Sequence, residues 1–151
     1  MTFETLSHFF ERDLVKIIEE LKLYAQEKDM WAAKAGISNS AGNLALHIIG
    51  NLNHFIGFTL GNTGYIRDRD AEFNTPSVPR SDLIAGLKDT IAVLNKSLSA
   101  MSVEDGEKPF PLAKHGETVT TNYMFLHLLT HLNYHLGQIN YHRRLLTGDM
   151  Q

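Results

Sequence analysis

Cysteine is absent from all 151 residues. That absence removes disulfides, thiolate zinc sites and a cysteine nucleophile at once. A surplus of one charge is also missing. The 14 basic and 17 acidic residues leave a formal net charge of -3, without the basic excess that a nucleic-acid-binding face requires. No apolar run approaches the roughly 18 residues that span a bilayer. The chain begins Met1-Thr2-Phe3-Glu4, with neither the basic nor the apolar stretch of a secretory leader. The expectation is a cytoplasmic protein with no membrane and no nucleic-acid partner.

What the chain does contain is apolar residue and histidine. Apolar residues make up 43% of it, enough for a real core and against general disorder. The length fits one domain, residues 1–151. Eight histidines are present, six of them in the two segments 47–54 and 127–142.

Four stretches show the helical period. The first spans about Phe3 to Gln26, with Phe3, Leu6, Phe10, Leu14, Ile17, Leu21 and Tyr24 on one face and Thr2 as the expected N-cap. The second spans about Ser40 to Leu60 and carries Leu44, Ile48, Leu52, Phe55 and Ile56. The third spans about Ser81 to Met101, with Ser81 as the expected cap after Pro79. The fourth spans about Thr121 to Thr147 and closes at Gly148. Each helix must bury one apolar face, and four such faces make an all-α four-helix bundle. Long connections, Gly61 to Arg80 and Ser102 to Thr120, leave room for parallel neighbours.

The fourth helix reads His127-Leu-Leu-Thr-His131-Leu-Asn-Tyr-His135-Leu-Gly-Gln138-Ile-Asn-Tyr-His142. Residues four apart on a helix have Cβ atoms roughly 6 Å apart, so His131 and His135 can reach one ion. On a wheel, His131, His135, Gln138 and His142 fall within about 60° of one another, beside the apolar stripe. In the second helix, His47, Asn51 and Phe58 also lie beside the apolar stripe, so His47 faces inward as a third candidate ligand. His54 shares its face, but seven residues separate the two by about 10 Å along the axis, too far for one ion.

The chemistry narrows the choices. Imidazole nitrogen suits zinc and nickel. The zincin motif is absent, because Leu132 follows His131 where a catalytic Glu would stand. The Glu-x-x-His of di-iron bundles is absent as well. A mononuclear histidine site remains: three protein ligands would leave it open and reactive, while a fourth would close it as a structural site. Unperturbed imidazole titrates near ~6.5, which sets an expectation of metal loss between about pH 7 and 5.

The segment His127-Leu-Leu-Thr-His131-Leu-Asn-Tyr-His135-Leu136-Gly137-Gln138-Ile139, together with Leu46-His47-Ile48 near the start of the second helix, resembles the DinB superfamily of bacterial four-helix metalloproteins. Members commonly show His-x-x-x-His followed by Arg-Gly-Gln-Ile; here Leu136 stands where Arg is frequent. The resemblance covers nearly the whole chain. It implies a triad of His47, His131 and His135 holding one divalent nickel or zinc ion. It also implies up-down-down-up helix order and a homodimer. Characterised relatives include thiol transferases that use bacillithiol and a mycothiol-dependent maleylpyruvate isomerase, which implies a small-molecule thiol and an electrophile as partners. Segments Gly50 to His54 and Arg67 to Phe73 look like an uncharacterised branch.

Other residues carry weaker expectations. Asn51 and Gln138 are candidates to fix an imidazole tautomer or hold a water, with hydrogen bonding at a packing edge as the plain alternative. His54 and His142 are candidates for outer partners or proton transfer; ordinary helix-edge histidines are the commoner case. His127 competes for a ligand role, and the resemblance argues against it. His8 and His115 are expected in solvent. The Arg67-Asp68-Arg69-Asp70 run reads as a solvated loop or a dimer contact rather than as an anion grip. Gly50 and Gly57 are expected to let the second helix approach a neighbour, and Trp31 to cap the bundle end. Three functions stay open: a metal-dependent thiol S-transferase, a metal-dependent hydrolase, and a non-enzymatic metal-binding bundle with a structural or sensory role.

Overall fold

The computed structural model describes residues 2–33, 36–114 and 116–148. Among them all regular structure is helical apart from two isolated β-bridges. Helix α1 (Phe3–Lys22) starts where expected, with Thr2 Oγ1 accepting from the Thr5 amide at 3.1 Å. It ends four residues earlier than the periodicity suggests. The chain turns there into a short 3₁₀ segment, Glu27–Trp31, while Tyr24 stays in the core.

Ser40 caps α2 (Ala41–Leu52), accepting from the Asn43 amide at 3.1 Å. The helix then widens into a π-helical turn, Asn53–Phe58. Such turns insert extra rotation into a helix. Phe58, which a regular wheel places beside His47, is accordingly 45% exposed and stacks on His54 with ring planes 4° apart. Asn53 anchors the turn by donating to Ile49 O and Thr90 Oγ1.

A short helix the periodicity did not show, α3 (Arg69–Asn74), lies in the connection that follows. Asp68 caps it through the Ala71 amide, and Asn43 Nδ2 ties it to α2 by donating to Glu72 O and Thr75 O. Helix α4 (Arg80–Ser99) has Pro79 rather than Ser81 at its cap position. The Arg80 amide is instead taken by Glu27 Oε2 at 3.1 Å, and the Arg80 side chain donates to Tyr24 O. A carboxylate from another segment thus does what Ser81 was expected to do. Helix α5 (Thr121–Thr147) is capped by Thr120 and closed by Gly148, whose φ of 69° is the left-handed conformation that glycine adopts without strain.

Side-chain pairings fix the direction of each neighbour. Along α1, Phe3, Asp13 and Glu20 meet Phe125, Asn133 and Asn140, so α1 and α5 run parallel. Ser7 meets Asn95 while Tyr24 O meets Arg80, so α1 and α4 are antiparallel. Asn53 meets Thr90 and Gly57 sits on Val93, which with Ile49 against Gly86 makes α2 and α4 parallel. The order is up-down-down-up. One core of Leu6, Phe10, Ile17, Ile48, Leu52, Leu87, Phe125, Leu132 and their neighbours fills the centre. At about 2 kcal/mol per buried leucine-sized side chain, it dominates the stability of the fold. Trp31 lies at the start of α2 against Gly42, where a Cβ would come within 2.7 Å of its ring. No helix among the described residues is long and apolar enough to cross a membrane.

Candidate metal centre

Two antiparallel helices and the short α3 build the site. His47 from α2 is buried at 6% exposure, and His131 and His135, one turn apart on α5, are half-buried. One ligand atom from each lies within 4.8 Å of the others. The Nε2 atoms face one another: His131 Nε2 is 3.3 Å from His47 Nε2 and 3.0 Å from His135 Nε2. Ions with metal–nitrogen bonds of ~2.0–2.1 Å hold adjacent ligand atoms roughly 3–3.4 Å apart. The spacing is that of one shared ion.

Hydrogen bonding at the far side of each ring decides what the Nε2 atoms offer. His47 Nδ1 is 2.8 Å from Glu72 Oε2, an acceptor only, so Nδ1 carries the hydrogen and Nε2 keeps its lone pair. His135 Nδ1 donates to Gln138 Oε1 at 2.6 Å, with the same result. Arg67 completes the arrangement behind His47. Its Nε and Nη2 grip the two Glu72 oxygens at 2.6 and 2.8 Å. Arg67 Nη2 is also 3.3 Å from His47 Nδ1, a close approach rather than a second hydrogen bond, because that nitrogen already donates to Glu72. Outer partners of this kind orient a ligating imidazole and raise its basicity. Phe73 closes over His47, ring centroids 4.9 Å apart. Gly50 makes room for the carboxylate, since a Cβ there would fall onto Glu72.

The electrostatics keep the rings neutral. Burial pushes His131 down to about 4, helped by His135 and His47 beside it. Burial also lowers His47, against the opposing pull of Glu72, and lowers His135. Neutral imidazole is the metal-binding form. His131 Nδ1 and Asn51 Oδ1 are buried with no hydrogen-bond partner among the described residues. The first becomes a donor when Nε2 binds an ion and the second is an acceptor, on facing helices.

This observation decides the family: the chain matches, over residues 3–150, the model described as Protein of unknown function (DUF1572). The chain belongs to the DUF1572 family. Among curated proteins none matches it. A crystal structure described as the conserved protein of locus from Enterococcus faecalis is similar to this DUF1572 chain, with a TM-score of 0.77, 17% identity and 99% of each chain covered. At that identity the likeness speaks for the fold alone.

The remaining sequence candidates fall in different places. Gln138 is on His135, as expected of an outer partner. Asn51 is buried one turn from His47. His54 stacks on Phe58 and meets Phe55 edge-on at the π turn, and burial, with Arg67 adding to it, disfavours its protonation. His142 is not at the triad: its Nδ1 meets Tyr24 Oη at 2.6 Å and its Nε2 meets Ala32 O at 2.8 Å. His127 packs its ring on His131 outside the triad. His8 is exposed beside Phe9, and His115 lies outside the described residues. The loop reading of Arg67 is corrected by burial: its guanidinium serves Glu72 inside the chain, while Asp68 is a helix cap. Glu72 and Phe73 were missed as supports of His47. A buried Glu in a linker shows no periodicity, and the only signal was its place in the Arg67 to Phe73 segment.

Proposed function

We propose that this protein holds one divalent transition-metal ion, nickel or zinc, at His47, His131 and His135, and transfers a low-molecular-weight thiol to small electrophiles. The observation that carries the metal is the convergence of Nε2 lone pairs whose tautomers Glu72 and Gln138 set. The choice of a thiol follows the DinB resemblance of the His127–Ile139 and Leu46–Ile48 segments. An ion with three protein ligands keeps open positions and supplies Lewis acidity toward a thiol sulfur. In the net reaction the S–H proton passes to solvent, a new S–C bond forms, and the leaving group departs with its electron pair. Glu72 holds His47 in register through this change, and Gln138 does so for His135. Glu72 is engaged by both His47 and Arg67, so it is poorly placed as a general base, which favours thiol substitution over hydrolysis.

One observation supports a second reading, a metal site of structural or sensory role. Two clefts near the supports of the triad are not lined by its three histidines: one of about 310 Å³ is lined in part by Gln138, Tyr141 and His142, and one of about 200 Å³ in part by Leu46, Ile49 and Glu72. The test is elemental analysis of protein purified without an affinity tag, followed by a screen of small thiols against epoxides and alkyl halides. Metal-free protein and His47→Ala serve as controls. Turnover lost with the metal while helical circular dichroism persists is the expected result. Protein that neither carries nor takes up nickel or zinc defeats the metal reading, and loaded protein without turnover leaves the structural role.

A further inference from the structure

Three neutral imidazoles meet at the triad, and each carries one ring hydrogen. For two of them its place is set. Nδ1 of His47 donates to Glu72 and Nδ1 of His135 donates to Gln138. Both rings therefore turn a bare Nε2 toward His131. The hydrogen of His131 itself has two places to go. On Nε2 it points at those two lone pairs, 3.0 Å away at His135 and 3.3 Å away at His47, and the shorter separation is that of an ordinary hydrogen bond. On Nδ1 it is buried and meets no acceptor among the described residues. That second arrangement also leaves three lone pairs face to face. A buried N–H without an acceptor is costly. In metal-free protein His131 is thus the Nε2–H tautomer, donating to His135.

That tautomer cannot ligate an ion, because its ligand atom carries the hydrogen. Three bare Nε2 atoms are needed, so the Nε2–H bond of His131 must break and an Nδ1–H bond must form. One proton leaves Nε2 for solvent and one arrives at Nδ1 from solvent. The ring stays neutral and the proton count of the protein is unchanged. The new Nδ1–H then needs an acceptor. Three buried side-chain polar atoms among the described residues lack a hydrogen-bond partner: Arg80 Nε, His131 Nδ1 and Asn51 Oδ1. The last two are a donor in waiting and an acceptor, and their places agree. Asn51 follows His47 by one turn on α2, while His131 precedes His135 by one turn on α5. The two helices are antiparallel, so both steps lead toward the same end of the bundle. Glu72 and Gln138 already serve the other two rings.

We propose that His131 exchanges its Nε2–H tautomer for the Nδ1–H tautomer when an ion enters the triad, and that Asn51 Oδ1 accepts the new hydrogen, directly or across one water. The inference rests on the metal reading of the triad. It makes the three arms of the site unequal: two are preset by Glu72 and Gln138, and the third is set by the ion itself. Asn51 is a positioning residue with opposite effects in the two states. Without the ion its buried Oδ1 is an unsatisfied acceptor, which weakens the fold. With the ion it holds His131 in the ligating tautomer, as outer partners of metal-bound imidazoles do.

The test is proton–nitrogen correlation NMR of the full chain labelled with nitrogen-15 at histidine, metal-free and after zinc addition, with zinc uptake measured by elemental analysis. In metal-free protein His131 should show a protonated Nε2 and a bare Nδ1. With zinc bound the two should be reversed, while His47 and His135 keep Nδ1–H throughout. Asn51→Leu, close to asparagine in volume, should leave the urea midpoint of metal-free protein unchanged or raise it. The same variant should weaken zinc binding by about 10–100-fold against a chelating dye. Asn51→Asp keeps an acceptor and should recover most of that affinity. A His131 that holds one tautomer with and without zinc overturns the proposal. So does an Asn51→Leu variant that binds zinc as tightly as wild type, because another group then accepts the hydrogen. A fall in its metal-free stability would mark a packing role and overturn the assignment of Asn51 as well. Protein that takes up no zinc at all defeats the metal reading itself, and this inference with it.

Discussion

His47 and His142 are two deeply buried histidines, 6% and 3% exposed, and each lies on an inward helix face close to a buried arginine–glutamate pair. Their surroundings use the same residue types to opposite ends. At His47 the glutamate accepts from Nδ1 and the arginine grips the glutamate, which leaves Nε2 as a free lone pair aimed at His131. At His142 the pair Arg143–Glu20 serves the α1–α5 seam, while the ring is engaged at both nitrogens by Tyr24 and Ala32. Burial alone does not make a ligand. What matters is which ring nitrogen remains without a hydrogen and what it faces.

The largest expected difference between the two is in metal content. His47→Ala should take bound metal from about one ion per chain to near none, whereas His142→Ala should leave it unchanged. Elemental analysis of both variants reads this, and equal loss in both would erase the distinction. Next comes Arg67→Ala. Removing one partner of a buried pair leaves an uncompensated charge, here that of Glu72, at a cost of about 3–5 kcal/mol in urea unfolding. Arg143→Ala should cost a similar amount by abandoning Glu20, but only Arg67→Ala should also weaken metal binding. Two variants with the same metal affinity would show that Glu72 does not act through His47.

A smaller effect is expected at His142 itself. His142→Phe leaves Tyr24 Oη and Ala32 O without their partner, and a buried polar group left unsatisfied costs about 1–3 kcal/mol. The same denaturation experiment reads it, and an unchanged midpoint would mean that the bundle end does not depend on that bridge. pH sharpens the contrast further in metal-free protein. His131 sits at about 4 in the folded chain against ~6.5 when unfolded. As pH falls below ~6.5 the unfolded chain takes up this proton first, so stability falls between those values and this contribution levels off below about 4. His47 and His135 are shifted the same way. Melting of wild type against His131→Leu should show a shallower fall in the variant. An ion held at the triad should, by the same shift, be released below the pH 7 to 5 window that ordinary imidazoles suggest, which a metal-content titration against pH reads. The smallest effect belongs to Gln138→Ala, which removes an exposed neutral support of His135. Metal affinity should drop by about tenfold, the lower end for outer partners, against a larger drop for Glu72→Gln behind His47. Competition with a chelating dye measures both, and the reverse order would mean that the α5 arm, not the α2 arm, dominates the site.

The four long helices, their ends at Thr2 and Gly148, and the pairing of His131 with His135 were legible in the sequence because each depends on chain neighbours within a turn or two. The inward facing of His47 was legible for the same reason. The place of Phe58 was not, because the π turn changes the rotation per residue and carried it outward, although Ile56 stays in the core. The cap of α4 was not legible either, since Glu27 reaches it from a distant segment. The roles of Arg67, Glu72 and Phe73 required the fold, which lays α3 against α2 at Gly50 and so brings a carboxylate and a ring onto His47. His142 went the other way. Its spacing from His135 matched the site, and only the approach of Tyr24 and Ala32 from another part of the chain fixed it elsewhere. Local periodicity sets which face of a helix a residue occupies, but the partner of each ring nitrogen comes from residues far away in sequence, and only tertiary packing brings them within hydrogen-bond reach.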